Sequence, residues 1–196
     1  DHQALKARLP AIGPKVAGGS WCPLDGHANP LKLLYALHAG IKALGGRICI
    51  GVDVGEVRSL GGGRGFQAKS SDGRRWSGTK IVLAAGLSNN ALAPQLGLHA
   101  PVLPKRGQVL ITERLKKFLP HPTNKARQTA EGTVQLGFSA EDVGLDDGTT
   151  VEAIESIAKR SVATFPILSS VKLVRAWGSL RVLTPDGSPV YQESAQ

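Results

Sequence analysis

The sequence predicts an α+β fold in which a parallel core strand and a mixed, largely antiparallel sheet are accompanied by helices. Apolar residues recur at helical spacing over residues 31–44 and 149–165. Short apolar runs bounded by Gly and Asp-Gly turns, such as residues 65–70 and 74–79, are typical of strands. The continuous apolar run KIVLAA at residues 80–85 predicts a central strand buried on both faces.

The first half of the chain begins with a short polar helix within residues 1–16 and a loop over residues 21–30. Asn29 is a candidate N-cap, and Pro30 occupies the first position of the helix that Gly45-Gly46 ends. Residues 47–57 predict a strand pair or one bent strand. The glycine-rich residues 59–65 predict a hairpin tip rather than a phosphate loop, because no Lys-Ser/Thr follows them.

The second half predicts a helix over residues 89–96 and strands over residues 101–112 and 132–138. The helix over residues 149–165 has the clearest apolar face, and Pro166 closes it. A strand over residues 174–182 is broken at Gly178, where a missing side chain lets another group approach the backbone. Thr184-Pro185-Asp186-Gly187 is a turn sequence.

Composition excludes several classes of function. Hydrophobic residues make up 41% and charged residues 20%, as in globular proteins, and no apolar run approaches the roughly 18 residues of a membrane span. The net charge is +9, but basic residues are scattered and aromatics are only 5%, so we predict no nucleic-acid interface. The five histidines show no paired spacing, so we predict no metal site. Cys22 and Cys49 lack a CxxC pattern and predict two reduced, partly buried thiols.

The segment VRAWGSLRVLTPDGSPVY, residues 174–191, places Arg181 on a strand just before a fixed turn. A guanidinium held there suits a planar carboxylate, which it binds through two parallel charge-assisted hydrogen bonds. An edge-strand arginine that extends to water is the alternative interpretation. The acidic pairs Glu141-Asp142 and Asp146-Asp147 are interpreted as solvated loop residues.

WGSLRVLTPDGSPVY resembles the W-G/A-x-L-R-x-x-T-x-D-G-x-P signature of the D-amino-acid oxidase type of FAD-dependent oxidoreductases. That family includes glycine oxidase, sarcosine oxidase and the D-amino-acid dehydrogenases. KIVLAAGLSNNAL and GVDVGEV resemble further segments of that family, in family order. The resemblance covers nearly the whole chain. It points to the branch of hydrogen cyanide synthase and opine oxidase flavoprotein subunits.

The resemblance implies FAD as cofactor and a small, carboxylate-bearing amino-acid-like substrate. The resemblance implies that Arg181 binds the substrate carboxylate and that Arg127 and Gln128 are further substrate contacts. Leu87 stands where many members carry tryptophan. The cofactor contacts implied are Val54, Ala84, Ala85, Gly86, Leu87 and Gly178. Other oxidase subunits are implied as partners, and the location as cytoplasmic or peripheral to the inner membrane.

The domain organisation that follows has a partial FAD-binding domain at residues 26–97. The substrate-binding domain comprises residues 1–25 and 98–181, and residues 182–196 return toward the first domain. No G-x-G-x-x-G follows a buried strand, so we expect an internal piece of a longer enzyme that oxidises the C–N bond of an amino acid or N-substituted amino acid. The alternative is a non-catalytic module whose basic surface docks a partner.

Overall fold

The computed structural model describes residues 1–194, which form two compact units. Unit 1 comprises residues 1–37 and 106–180, and unit 2 comprises residues 38–105 and 181–194. The unit boundaries fall within 12 residues of the predicted domain boundaries at 25/26, 97/98 and 181/182. The assignment of one domain to the flavin and the other to the substrate stays a prediction.

The chain contains both helices and antiparallel strands, which confirms the mixed α+β character. The helices are α1 (His2–Arg8), α2 (Pro30–Ala43), α3 (Asn89–Leu92) and α4 (Val151–Thr164), with 3-10 turns at Gly86–Ser88, Ala93–Leu96 and Pro166–Ser170. The strands are β1 (Val54–Ser59), β2 (Phe66–Ser70), β3 (Arg75–Gly78), β4 (Leu103–Arg114), β5 (Ala126–Gln128), β6 (Thr133–Gly137) and β7 (Leu173–Leu183). No helix among residues 1–194 is long and apolar enough to cross a bilayer.

Two sheets organise the strands. β1, β2 and β3 form an antiparallel meander, and the glycine-rich residues 60–65 make the predicted hairpin tip between β1 and β2. The second sheet has the order β5-β6-β4-β7, with β6 antiparallel to both β5 and β4. Leu110 of β4 faces Leu136 of β6 in this register, which places both on the buried side.

The core of unit 1 forms where α4 covers the second sheet. Thr150 caps α4, and the face with Ile154, Ile157 and Ala158 packs against buried residues of the sheet. Ile157 is fully buried, as the helical spacing predicts, whereas Val151 at the start of the same face is 73% exposed. The smaller core of unit 2 consists of Val57, Leu92 and Leu96 with partly buried neighbours.

Helix α2 begins as predicted but has no buried residue. The Asn29 side chain accepts hydrogen bonds from the backbone N–H groups of Leu31 (3.1 Å) and Lys32 (3.2 Å), so Asn29 is the N-cap. Its apolar side chains remain between 43% and 73% exposed, at Leu31, Leu33, Leu34, Tyr35, Leu37 and Ile41. Such an apolar surface is unusual on an isolated globular protein and marks a place where another group packs.

Three local predictions are wrong. Residues 80–85 form no strand: Ile81 and Leu83 pack on the unit 2 core, whereas Val82 is 85% exposed. An apolar run becomes a central strand only where neighbouring strands bond to it, and none of the described strands does so here. Residues 47–53 form no strand, and Gly51 within them has a φ of +64°. Cys22 and Cys49 are both free, but they are exposed rather than partly buried.

Candidate functional site

A cleft of about 440 Å³ lies within unit 2, where two segments of the resemblance meet. Leu83, Asn89 and Ala93 line it from the KIVLAAGLSNNAL segment. Val182, Thr184 and Pro189 are among the residues that line it from the segment after β7. The cleft is completed by residues 98–100, Val102 and Gln192. Folding therefore brings together side chains that are about a hundred positions apart in the sequence.

The Ala-Gly step at residues 84–87 forms a turn beside this cleft. Ala84 and Ala85 are exposed, and Leu87 is half-buried. The Ala85 N–H donates to the side-chain oxygen of Asn89 at 3.3 Å, so Asn89 both lines the cleft and fixes the turn. Gly86 has a φ of +58°, which explains glycine at this position. A Cβ placed on Gly86 would lie 3.5 Å from Val182, so this turn contacts the end of β7.

The TPDG turn gives the cleft a fixed wall. The Gly187 N–H donates to the Thr184 carbonyl at 3.1 Å, and Gly187 has a φ of +72°, as the turn sequence predicts. The Ser188 N–H donates to Asp186 Oδ1 at 3.0 Å, and this hydrogen bond holds the pKa of Asp186 below its ordinary value. Beyond the turn, Gln192 accepts a hydrogen bond from the His99 N–H at 2.8 Å.

Arg181 lies on β7, three positions before Thr184, and its side chain is half-buried. β7 runs without interruption through Gly178, where a break was predicted, and the strand and the turn together hold the Arg181 backbone. The residues that line the cleft include Val182 and Leu183 but not Arg181. Val54 begins β1 opposite Ser70 and packs against the unit 2 core, and it does not line the cleft either.

Arg127 lies on β5 in unit 1 and connects two elements. Its Nε donates to Gln135 Oε1 on β6 at 2.8 Å. One terminal nitrogen lies 3.2 Å from the Ala28 carbonyl and 3.3 Å from His27 Nδ1. The guanidinium therefore fastens the loop before α2 to the sheet. Its predicted contact with substrate stays a prediction.

Gln128 has a structural role instead of the predicted substrate contact. It is buried, and its Oε1 accepts hydrogen bonds from the backbone N–H groups of Phe118 (2.9 Å) and Leu119 (3.1 Å). Its Nε2 lies within 3.3 Å of three carbonyl oxygens, those of Leu115, Lys116 and Gly132. Because an amide has two hydrogens and two lone pairs, no capacity remains for a substrate.

Gly178 does admit a close approach, but the approaching group is this chain's own backbone. A Cβ built on Gly178 would lie 2.3 Å from the Gly148 carbonyl oxygen and 2.4 Å from that of Asp147. No side chain fits in that space. Gly178 therefore packs between β7 and the loop before α4. Its predicted contact with the cofactor stays a prediction.

An ion-pair network centred on a buried arginine in unit 1 was not predicted from the sequence. Arg106 on β4 is 4% exposed and pairs with Glu141 (2.7 Å) and Asp146. Gln108, also buried, hydrogen-bonds to both Glu141 and Thr150. Both acidic residues are thus paired with Arg106, although the Asp146 side chain is still 59% exposed. The only signal of the network in the sequence is that Arg106 and Gln108 share a strand face with apolar Leu110, at positions i, i+2 and i+4.

The ion pair should make stability depend on acid pH. The hydrogen bond from Arg106, followed by that from Ser139, holds the pKa of Glu141 below its ordinary value. Its stabilisation is therefore present above the unfolded pKa of about 4.3 and is lost as pH falls through the lower folded value. We expect the melting temperature of Glu141→Gln to be lower than that of the parent protein at neutral pH. The difference between the two melting temperatures should narrow below about pH 4. A gap that is constant from neutral to acid pH, measured by circular dichroism, would contradict this.

Comparison with known proteins places these features in a family. A profile described as "FAD dependent oxidoreductase" matches residues 1–196. The chain is 37% identical to an opine oxidase subunit of Agrobacterium tumefaciens (strain Ach5) over 99% of its length, and covers 52% of that protein. It is 30% identical to hydrogen cyanide synthase subunit HcnC of Pseudomonas protegens over 97% of its length, and covers 46% of that protein.

The fold agrees with a solved structure. Glycine oxidase from Geobacillus kaustophilus superimposes with a TM-score of 0.88 at 19% identity, over 98% of this chain and 52% of that one. The chain thus spans about half the length of the relatives it matches. Because the family profile matches the whole chain, this protein belongs to the FAD-dependent oxidoreductases of the D-amino-acid oxidase type.

Proposed function

We propose that this chain is part of an FAD-dependent enzyme that oxidises the C–N bond of an amino acid or N-substituted amino acid. The observation that carries the proposal is the unit 2 cleft, where Asn89 and the TPDG turn meet beside the exposed Ala84-Ala85 backbone. The names of two relatives, opine oxidase and glycine oxidase, support a substrate with a carboxylate and an amine nitrogen.

The residues of the cleft fit part of a dinucleotide cofactor. Leu83 and Val182 offer apolar contact within the cleft, and the small residues Ala84, Ala85 and Gly86 form the turn beside it. A pyrophosphate needs several backbone N–H donors. The Ala85 N–H is directed to Asn89. We therefore assign the ribose and adenine side of FAD to this chain, with Val54 as the adenine contact, and the pyrophosphate loop to other residues of the enzyme.

The chemistry assigned to the chain is substrate binding and orientation. The flavin, when bound, accepts the hydride that leaves the substrate α-carbon. Loss of a proton from nitrogen then balances the two-electron oxidation to an imine, which water hydrolyses to a carbonyl compound and an amine. Arg181 holds the carboxylate through its planar fork and so fixes the α-carbon. Arg127 is proposed as a second, weaker substrate contact.

The exposed face of α2 supports the proposal that further polypeptide completes the cofactor domain. Leu31, Leu34, Leu37 and Ile41 recur on one side of the helix and are each 43% or more exposed. The relatives are about twice as long as this chain. Packing of a further segment against these side chains would bury apolar surface, and we propose that such a segment carries the phosphate-binding loop.

The chain of residues 1–196, purified alone, should carry no stoichiometric FAD and show no oxidase activity. The reason is that G-x-G-x-x-G, which holds the pyrophosphate in this class, is not in the sequence. Absorbance of the purified protein and of flavin released by denaturation measures this directly. A yellow protein with flavin stoichiometric to the chain would contradict the expectation.

The decisive test of function uses a longer natural protein that contains this sequence. We expect it to bind FAD and to be reduced anaerobically, with loss of the visible flavin band, by an amino acid or opine. Mass spectrometry should detect the carbonyl and amine products in equal amounts. A long form that binds no flavin would instead favour the non-catalytic module that docks partners through a basic surface.

A further inference from the structure

We propose that Arg106 and Asp146 are positioning residues for Arg181, because they seat a loop against the strand that carries it. This inference rests on the proposed function of Arg181 as the carboxylate contact. The group of Arg106, Gln108, Glu141, Asp146 and Thr150 is called the Arg106 clamp below. None of its members has been assigned a role by the resemblance.

The clamp begins on the buried face of β4. Arg106 and Gln108 are two positions apart, so both point to the same side of the strand. They are 4% and 0% exposed. The terminal nitrogens of Arg106 reach Glu141 and Asp146, and Gln108 Nε2 reaches Glu141 Oε1 at 3.0 Å. A buried cation needs such carboxylates, because an uncompensated charge in the interior is costly.

The clamp holds residues 146–150 at both ends. Asp146 uses one oxygen for Arg106, and its other oxygen accepts the Gly148 N–H at 2.8 Å. At the other end, the Thr150 N–H donates to Gln108 Oε1 at 2.9 Å, and the Thr150 side chain caps α4. The short segment between these two anchors therefore has a fixed path.

Along that path, two backbone carbonyl groups of the loop pack closely against β7. The Asp147 and Gly148 oxygens lie where a Cβ of Gly178 would be, at 2.4 and 2.3 Å from it. Contact this close fixes the backbone of β7 at Gly178. Arg181 follows three residues later on the same continuous strand. Loosening the loop would therefore loosen the backbone that orients the Arg181 side chain, and the geometry of a bidentate contact tolerates little error.

The test is a double-mutant cycle in the long, flavin-containing protein, with its carboxylate substrate. Asp146→Ala removes the contacts of Asp146 with Arg106 and with the Gly148 N–H, but it leaves Arg106 paired with Glu141. We expect KM to rise roughly tenfold in the parent background and less than about twofold in an Arg181→Lys background, with flavin content unchanged. Asp146→Asn, which keeps the acceptor for Gly148, should restore part of the affinity and remains informative if Asp146→Ala folds poorly.

Asp147→Ala is the matched control, since Asp147 is the next residue and its exposed side chain makes no hydrogen bond among those described for residues 1–194. It should leave KM within about twofold. If Asp146→Ala raises KM equally in both backgrounds, the effect is a general loss of structure and the positioning role is overturned. If Asp146→Ala leaves KM unchanged in both backgrounds, the positioning role is overturned as well. If Arg181→Lys alone leaves KM unchanged, the carboxylate assignment itself fails, and the positioning role falls with it.

Discussion

Gly178→Ala should destabilise unit 1 by about 3 kcal/mol, since overpacking against groups that cannot move is costly. The new methyl group would lie 2.3 and 2.4 Å from two backbone carbonyl oxygens. Neither is the flexible end of a side chain, so β7 or the loop must shift. The melting temperature should fall by roughly 6–12 °C for a chain of this size. Denaturant unfolding followed by circular dichroism measures both quantities.

Gly55→Ala is the matched control for that substitution. Gly55 also lies in a strand, β1, but nothing lies within 4 Å of a Cβ built on it, and its φ is not positive. Stability should change by no more than about 0.5 kcal/mol. If the two variants unfold at the same denaturant concentration, the close approach at Gly178 does not contribute to stability and the packing account of this glycine is wrong.

Arg181→Lys should raise KM for the carboxylate substrate ten- to a hundred-fold in the long form of the enzyme, with flavin content unchanged. Lysine keeps the charge but loses the planar fork, and a lost charge-assisted hydrogen bond costs about 1.5–3 kcal/mol. A solvent-exposed arginine would give only about 0–1 kcal/mol. Steady-state kinetics distinguishes a carboxylate-binding arginine from a solvent-exposed one. The visible flavin spectrum checks the cofactor content of each variant.

Arg175→Lys is the control on the same strand. Arg175 is exposed, and its guanidinium lies 5.3 Å from the ring of Trp177, so lysine can retain much of that contact. Its KM should stay within about twofold of the parent. Substrate affinity that is unchanged in Arg181→Lys, together with a large drop in melting temperature, would make Arg181 a structural residue and remove the carboxylate assignment.

The sequence was most informative where structure depends on a few consecutive residues. Asn29 before Pro30 predicted the start of α2, and the TPDG letters predicted the turn that closes at Gly187. The glycine run at residues 60–65 was correctly interpreted as a hairpin tip. In each case one side chain or one permitted φ angle fixes the backbone, so no distant residue has to be known.

The sequence was least informative where a residue's role depends on what lies across from it. The run at residues 80–85 has the composition of a buried strand, yet its burial depends on neighbours that do not bond to it here. Gln128 has the polarity of a substrate contact, but its amide is saturated by five backbone groups. Polarity in a sequence states that a partner is needed and does not say which one.

By itself, then, the sequence determined the order of helices and turns, the family and the candidate arginine. Only the tertiary structure decided that Arg106 pairs with acidic residues 35 and 40 positions away and that Gly178 packs against the backbone of residues 147 and 148. The physical reason is the distance along the sequence over which each kind of interaction acts. Capping and turn preferences act over two to four residues, whereas an ion pair or a close backbone approach exists only after strand register has brought distant segments together.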